Sequence, residues 1–379
     1  MDRPSAEPTA ATAGRTTPRP ATRRRVVVSA VDTVDVVVEP VRAPGVGEAV
    51  VALTLAGVCG SDKAGAQGLH AFFKPPYHPG HEVVGRVVDV GPDVEEVAPG
   101  DRVTVVPTLT CGTCKNCQAG RGNVCERLEF FGCGHPEGGM ADYFTIRADR
   151  LFGVPAHFDD HRAALIEPMA TPVHAVRIAG DVTERAVVIL GGGTIGLLLL
   201  AAARDHGARR VVVTDPLAAK RALALEMGAD VVIDPTDGDV AGAVRRALVE
   251  SADVVFDCVA SEATLTSAVA MAAKGGTVVV VGGGRTPVSV PLPVIQEHEV
   301  RLQGAATYEL EDYREAVRIL DGGGVDPSRL VTSVFELDQA SDAFTAVGDG
   351  REVKVLVRGA ASPAGPVQPS HATRPVASS

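Results

Sequence analysis

The 379-residue chain lacks any surplus of positive charge: its formal net charge is -11. Nucleic acid and anionic membrane surfaces both require a basic face, so neither is expected as a partner. It also lacks an apolar run approaching the roughly 20 residues that span a bilayer. Arg23-Arg24-Arg25 precedes an apolar stretch, but Asp32, Asp35 and Glu39 interrupt that stretch, which argues against an export signal. The triplet reads instead as a solvated end. No internal repeat organises the chain. Cysteine is scarce outside one place, because four of the seven fall between positions 111 and 125. In a chain of this size such clustering favours a metal over disulfides and fits a reduced cytoplasm. What is there is length enough for two domains, each with a core of its own.

The chain is organised around Ala186-Val-Val-Ile-Leu190, Gly191-Gly-Gly-Thr-Ile-Gly196 and the segment Leu197 to His206. The pattern is a buried strand, a glycine turn and a helix. A continuous apolar strand is expected where helices cover both faces of a parallel sheet. Gly191, Gly193 and Gly196 match G-x-G-x-x-G: one glycine for a tight turn, one for close approach of a pyrophosphate, one for helix-on-strand packing. The helix N-terminus then offers N–H groups and a positive dipole end to phosphate. A bare glycine pattern also suits a turn with no ligand. A second apolar strand ending at Asp215, about 20 residues on, sets this one apart, since that acid falls where a ribose diol would sit.

Residues 1–24 and 360–379 carry Pro, Thr, Ala and Arg with no apolar period and are expected to be disordered. From 25 to 165, Val-rich runs at 26–28, 34–38, 49–55, 83–90 and 101–106 alternate with turns, as in an irregular antiparallel β domain. Residues 159–179 have helical spacing and cross into the next unit. Over 166–303, strand and helix signals alternate. That implies an α/β doubly wound parallel sheet with right-handed crossovers. Ligands then bind beyond the strand carboxyl ends, where Gly191, Asp215 and Gly282-Gly283-Gly284 fall. Residues 304–359 hold a helix and a closing strand at 354–357 that can return to the first domain.

Two sets of residues suit metals. Cys111, Cys114, Cys117 and Cys125 form a compact four-thiol lobe, as in closed structural Zn²⁺ sites; two disulfides are the alternative. Cys59, His81 and Glu82 are dispersed. One Cys, one His and a carboxylate leave room for an exchangeable ligand, the pattern of a catalytic zinc. Singly, Cys59 also reads as a small buried hydrophobe, His81 as a loop histidine and Glu82 as a surface charge.

Taken in order, Gly-Val-Cys59-Gly-Ser-Asp, Gly80-His81-Glu82, the four-cysteine lobe, Ile166-Glu167-Pro168-Met169-Ala170, the glycine turn and Asp215 resemble the zinc-dependent medium-chain alcohol and polyol dehydrogenases. The likeness covers residues 26–358. It implies a GroES-like catalytic domain, a Rossmann domain and a zinc in the cleft between them. By resemblance, Cys59 and His81 are zinc ligands, and Glu82 is a ligand that exchanges with water. Glu167 sits where liver-type enzymes have a cysteine. A glutamate there is similar to the sorbitol and threonine dehydrogenase branches, where it binds zinc directly or through water; a carboxylate stabilised at a helix N-terminus is the alternative. Ser61 resembles the first hydroxyl of a proton relay, and the histidine that many relatives place shortly after it is missing here. Cys133 and Cys258 match no ligand position, and Cys258 reads as core.

The resemblance implies hydride transfer from a secondary alcohol to NAD, with two zincs per chain. The zinc in the cleft, as Lewis acid, lowers the cost of removing the alcohol proton. Asp215 would accept from the ribose hydroxyls and repel a 2′-phosphate, against which stand the nearby Lys220 and Arg221. Lys220 itself matches a cofactor-contacting position. Thr194, Ile195, Val281-Gly282-Gly283, Ala305-Ala306-Thr307 and Thr171 align with further cofactor-contacting segments. Tyr308 and Phe72-Phe73 are candidates for the substrate pocket or for packing alone. The expected substrate is a polyol, cyclitol, vicinal diol or hydroxy amino acid, and the expected assembly a homodimer or homotetramer. The rivals are an NADP-dependent carbonyl reductase on this scaffold and a non-catalytic binding protein of the same fold.

Overall fold

The computed structural model describes residues 20–284, 287–348 and 350–361. The tails expected to be disordered fall outside these residues, except at 20–24 and 360–361. There the expectation fails at the N-terminal side. Strand β1 (Thr22–Ala30) pairs antiparallel with β2 (Thr33–Pro40) and carries the arginine triplet into the fold. Arg23 is only 4% exposed, bridging Glu39 at 2.6 Å and Glu137 at 2.8 Å. Arg24 bridges Asp142 at 2.9 Å. Three arginines read as a solvated end are instead a pinned edge, because carboxylates more than 100 residues away converge on them.

The Val-rich runs form the first domain's sheet. Strands β3 (Glu48–Val58), β4 (Glu82–Val90) and β5 (Arg102–Val105) are joined antiparallel. The short helix α1 (Gly60–Ala66) follows β3 directly. The two-residue strands β6 (Thr108–Leu109) and β7 (Glu129–Phe130) pair with each other on either side of the cysteine lobe, which contains α2 (Lys115–Gln118). Strands β8 (Tyr143–Arg147) and β9 (Leu151–Gly153) pair with β3 and β5.

Helices α3 (Asp160–Ala163) and α4 (Ile166–Ala179) lead into the doubly wound unit. It contains β10 (Ala186–Leu190), α5 (Thr194–Asp205), β11 (Arg210–Thr214), α6 (Ala218–Glu226), β12 (Val231–Ile233), α7 (Val240–Leu248), β13 (Ala252–Asp257), α8 (Glu262–Met271), β14 (Ala272–Val280), α9 (Leu292–Glu297) and β15 (Arg301–Gly304). All six strands are parallel, in the order β12-β11-β10-β13-β14-β15. This is the 3-2-1-4-5-6 order of a dinucleotide-binding sheet, with its switch point between β10 and β13. The apolar run of β10 is continuous for the expected reason. Val187 and Ile189 join one core, whereas Ala186, Val188 and Leu190 join the core on the other face.

Helix α10 (Leu310–Asp321) packs on α4 and α5. Strands β16 (Val331–Glu336) and β17 (Lys354–Arg358) then return to the first sheet, where β17 pairs antiparallel with β3. Among the described residues no helix is long and apolar enough to cross a membrane.

Candidate active site

The end of β3, the start of β4 and β17 lie side by side, and this register assembles the cleft. Cys59 caps α1 just past β3, and its N–H donates to Asp62 at 3.0 Å. His81 and Glu82 open β4 after Gly80, whose φ is +107°; a Cβ there would lie 2.1 Å from the Met140 nitrogen, so only glycine admits this turn. Ligand atoms of Cys59, His81 and Glu82 all lie within 4.8 Å of one another. One sulfur, one imidazole nitrogen and one carboxylate at that separation fit a zinc ion with a coordination position left open.

The buried surroundings of this triad set its electrostatics. Glu82 is ion-paired with Lys354 of β17, both side chains being buried. Burial alone would strip the Lys354 proton, but the charge of Glu82 keeps its pKa raised. Asp62 Oδ1 lies 3.7 Å from His81 Nδ1, and Cys133 Sγ lies 3.5 Å from the same nitrogen. Burial pushes Asp62 up to about 6 despite His81 nearby. His81 is itself raised well above its ordinary value: burial opposes its charge, and Cys133 and Asp62 outweigh it. Glu167, in the first turn of α4, is hydrogen-bonded by the Tyr308 hydroxyl. Burial drives its pKa up to about 7, with His81 pulling the other way. Ser61 lies half-buried on α1 beside Cys59. Phe72 is 93% exposed with its ring edge-on to His70, whereas Phe73 packs on Tyr77.

The cysteine lobe is a separate construction. All seven cysteines are free. Cys111–Cys117, Cys114–Cys117 and Cys114–Cys125 sulfurs stand 4.0, 3.5 and 3.9 Å apart. Disulfide sulfurs sit at about 2.05 Å, so the two-disulfide alternative does not describe this structure. Tetrahedral thiolates at about 2.3 Å from zinc stand about 3.8 Å apart, which the lobe matches. N–H groups of Cys111, Cys117 and Arg127 point at these sulfurs. The Arg127 side chain holds Cys111 down at about 5, in thiolate form at neutral pH.

On the nucleotide side, Gly191 has φ +104°, and a Cβ on Gly196 would lie 1.8 Å from the Gly191 carbonyl, so turn and helix pack backbone to backbone. Gly193 caps α5 with open space beside it and no side-chain cap, leaving the helix N–H groups free for phosphate. The Thr194 hydroxyl is turned away, bonding the Val353 carbonyl, and Ile195 follows on the first turn of α5. Asp215 accepts from the Gly192 and Leu217 N–H groups at 2.9 and 2.8 Å. Lys220 lies on α6 beside the Gly192 turn. Arg221 bonds the Asp215 carbonyl at 2.7 Å and pairs with Asp234 at 2.7 Å. The N–H groups of Val281 and Gly282 donate to the Asp257 carbonyl, and that of Ala305 to Val280, so these segments, with Gly283 next along, share one rim. Thr307 closes the rim with φ +47°. Thr171 is half-buried on α4.

Three side chains of the cleft carry no role in the sequence reading. Cys133, which matched no ligand position, stands against His81 because Gly132, Gly138 and Gly139 pack on the backbone around Gly80. Asp62 is visible in sequence only as the third residue after Cys59, where a capping carboxylate belongs. Lys354 gives no local signal, since its partner is 272 residues away. Cys258, read as core, is half-buried at the end of β13 beside the glycine turn, and burial raises its thiol.

A Cys–His–Glu cluster able to hold a metal, in one chain with a dinucleotide-binding sheet, is the combination of a zinc-binding dehydrogenase. Residues 194–322 match the zinc-binding dehydrogenase family, and residues 45–156 the GroES-like domain of alcohol dehydrogenases. Sorbitol dehydrogenase from Ovis aries is 32% identical over 324 residues, 84% of this chain and 91% of that protein. D-xylulose reductase A from Aspergillus oryzae is 30% identical over 312 residues, 80% and 87% of the two chains. A structure described as a zinc-binding dehydrogenase from Sinorhizobium meliloti, bound to NADP, matches with a TM-score of 0.83 at 34% identity, covering 89% of this chain and 100% of that one. The chain belongs to the zinc-dependent medium-chain alcohol and polyol dehydrogenases, and it is an oxidoreductase.

Proposed function

We propose that this chain oxidises a secondary alcohol of the polyol, cyclitol, vicinal-diol or hydroxy-amino-acid kind to the ketone, with NAD as hydride acceptor. The observation that carries this reading is the convergence of Cys59, His81 and Glu82 within 4.8 Å, with Glu167 and Tyr308 buried nearby. A second zinc is assigned to the lobe. Zinc in the cleft would supply Lewis acidity toward the alcohol oxygen, and the nicotinamide would take the hydride.

The chain's own residues do the rest. Cys133 Sγ at 3.5 Å and Asp62 Oδ1 at 3.7 Å flank His81 Nδ1, which leaves Nε2 as the nitrogen to ligate. Lys354 holds Glu82 by one oxygen and limits its reach toward the metal. Glu167 is raised to about 7, close to operating pH, so it can hold or release a proton at its carboxyl with Tyr308 fixing it in place. Ser61, two residues after Cys59 on α1, supplies a hydroxyl to start a proton path outward. Carboxylates lining a dry cleft suit a substrate bearing a second hydroxyl. The names of the Ovis aries and Aspergillus oryzae relatives are consistent with that class.

NAD is favoured because the Asp215 carboxylate, already holding two N–H groups, keeps lone pairs for ribose hydroxyls and repels a 2′-phosphate. Of the two cations beside this turn, Arg221 is occupied by Asp234, which leaves Lys220 as the one that could meet such a phosphate. NADP is the second reading, supported by the Sinorhizobium meliloti structure. The deciding experiment measures zinc per chain and the reduction of NAD and NADP with polyols, cyclitols and amino alcohols. Two zincs and NADH formation with a vicinal diol are expected; reduction of NADP alone would overturn the Asp215 assignment, and no reduction of either would overturn the activity.

A further inference from the structure

One polar cluster lies outside both the cleft and the nucleotide turn. Asn123 sits in the cysteine lobe between Cys117 and Cys125, yet it is only 8% exposed. Its Nδ2 donates to the Ala306 carbonyl at 2.9 Å and lies 3.3 Å from His174 Nε2. The Thr307 hydroxyl donates to the Asn123 carbonyl at 3.1 Å. The lobe therefore grips both ends of the Ala306–Thr307 peptide. His174, on α4, faces Asp312 with Nδ1 at 2.9 Å, and Arg177 holds both oxygens of Asp312 at 2.8 and 2.9 Å.

His174 Nδ1 has two neighbours at 2.9 Å, Asp312 Oδ2 and Arg177 Nη2; with its proton on the carboxylate side, Nε2 accepts from the Asn123 amide. Both amide protons of Asn123 are then used, one on the imidazole and one on the Ala306 carbonyl. The grip holds a strained backbone: Thr307 is β-branched and has φ +47°, a conformation such residues rarely adopt. The same segment is fixed at its other end by the Ala305 N–H bond to Val280, at the carboxyl ends of β14 and β15. In a doubly wound sheet that is the rim against which the nucleotide lies.

We infer that Asn123, backed by His174, is a positioning residue for the nucleotide, and that through it the cysteine lobe sets cofactor affinity. This rests on the assignment of residues 305–307 to the cofactor rim. Neither residue touches the cleft cluster, so the larger effect falls on the nucleotide; any spread toward the alcohol passes through Tyr308, the residue after Thr307, which holds Glu167.

The test is titration of the zinc-loaded protein with NADH, followed by nicotinamide fluorescence, alongside zinc content and KM for the alcohol at saturating cofactor. Asn123→Ala is expected to weaken NADH by about tenfold, with two zincs retained and the alcohol KM changed by much less. Thr307→Val keeps the shape and branching of the residue and removes only the hydroxyl. It should weaken NADH by a few-fold, and it decides the matter should Asn123→Ala fold poorly. His174→Gln, which keeps an acceptor near the Nε2 position, should cost less than His174→Leu. Unchanged NADH affinity in Asn123→Ala and Thr307→Val, with the parent binding normally, would overturn the inference while leaving the activity intact. Failure of the parent itself to bind NADH or NADPH would overturn the cofactor site, and this inference with it.

Discussion

The two cysteine-containing clusters are built on opposite principles. The lobe takes all its ligands from positions 111 to 125, and its own backbone N–H groups complete it. The cleft draws on α1, the start of β4, α4 and β17, together with the loop around Cys133 and the turn before α10. In the lobe an exposed arginine lowers the Cys111 thiol, backbone N–H groups lower Cys114, and burial raises Cys117 to about 12. The cleft carboxylates are tuned first by burial, which raises Asp62 to about 6 and Glu167 to about 7. A local cluster can form as soon as its loop closes round a metal. A distributed one exists only when two sheets are in place, and it gains from them a dry, low-dielectric setting in which charges matter more.

Substitutions should separate the two. The largest effect is expected from Cys59→Ala: a loss of turnover of about a thousandfold or more, since a metal's Lewis acidity is worth several kcal/mol. Zinc should fall from two to one per chain while thermal unfolding stays put; normal turnover would remove Cys59 from the chemistry. Cys114→Ser should also remove one zinc, but its signature is a melting temperature lower by roughly 5–10 °C, because closed zinc sites contribute folding energy directly. A calorimetric scan with unchanged melting would break the contrast drawn here.

Smaller effects sharpen it. Arg23→Ala frees Glu137, which lies on the same loop as Cys133, at a cost of about 1–3 kcal/mol for the orphaned buried groups. The disturbance should reach the cleft and spare the lobe; retention of two zincs with a lowered alcohol turnover is the expected result. The smallest effect concerns pH. Hydrogen bonds from His174 and Arg177 hold Asp312 below its usual 3.8 in spite of the burial that would raise it. A depressed carboxylate stabilises the fold above its unfolded pKa and loses that contribution as pH falls through the folded one. The gap in urea midpoint between the parent and Asp312→Asn should therefore be constant near neutrality and close below about pH 4. A gap independent of pH would mean that Asp312 contributes by packing alone.

The same contrast governs what can be read without coordinates. The lobe's spacing and the run from β10 to α5 announce themselves, because their causes lie within a few residues of each other. Cys59, His81 and Glu82 can be grouped by ligand type, but the resemblance is what makes the grouping a site, since no local rule connects positions 59 and 81. Lys354, Cys133 and the burial of Arg23 leave no trace in any window of sequence. Each is defined by a partner that the topology brings from far along the chain. Phe72 and Phe73 show the converse: the sequence offers pocket or packing for both alike, and the loop sends one ring outward and the other onto Tyr77. Asp62 was within reach, as the third residue after Cys59, but helix capping and imidazole orientation ask for the same carboxylate.

Strand β17 has a further consequence, for synthesis. It pairs with β3, made roughly 300 residues earlier, and it brings Lys354 to Glu82. The first sheet therefore stays open along that edge while the whole nucleotide-binding unit is being translated. Contacts of such long sequence separation form slowly, and domains otherwise tend to fold in the order they leave the ribosome. The nucleotide unit, although second in line, is the part able to complete itself first. A chain arrested before Lys354 would hold Cys59 and His81 without the cation that pairs with Glu82, so the complete cleft cluster is among the last things the nascent protein acquires.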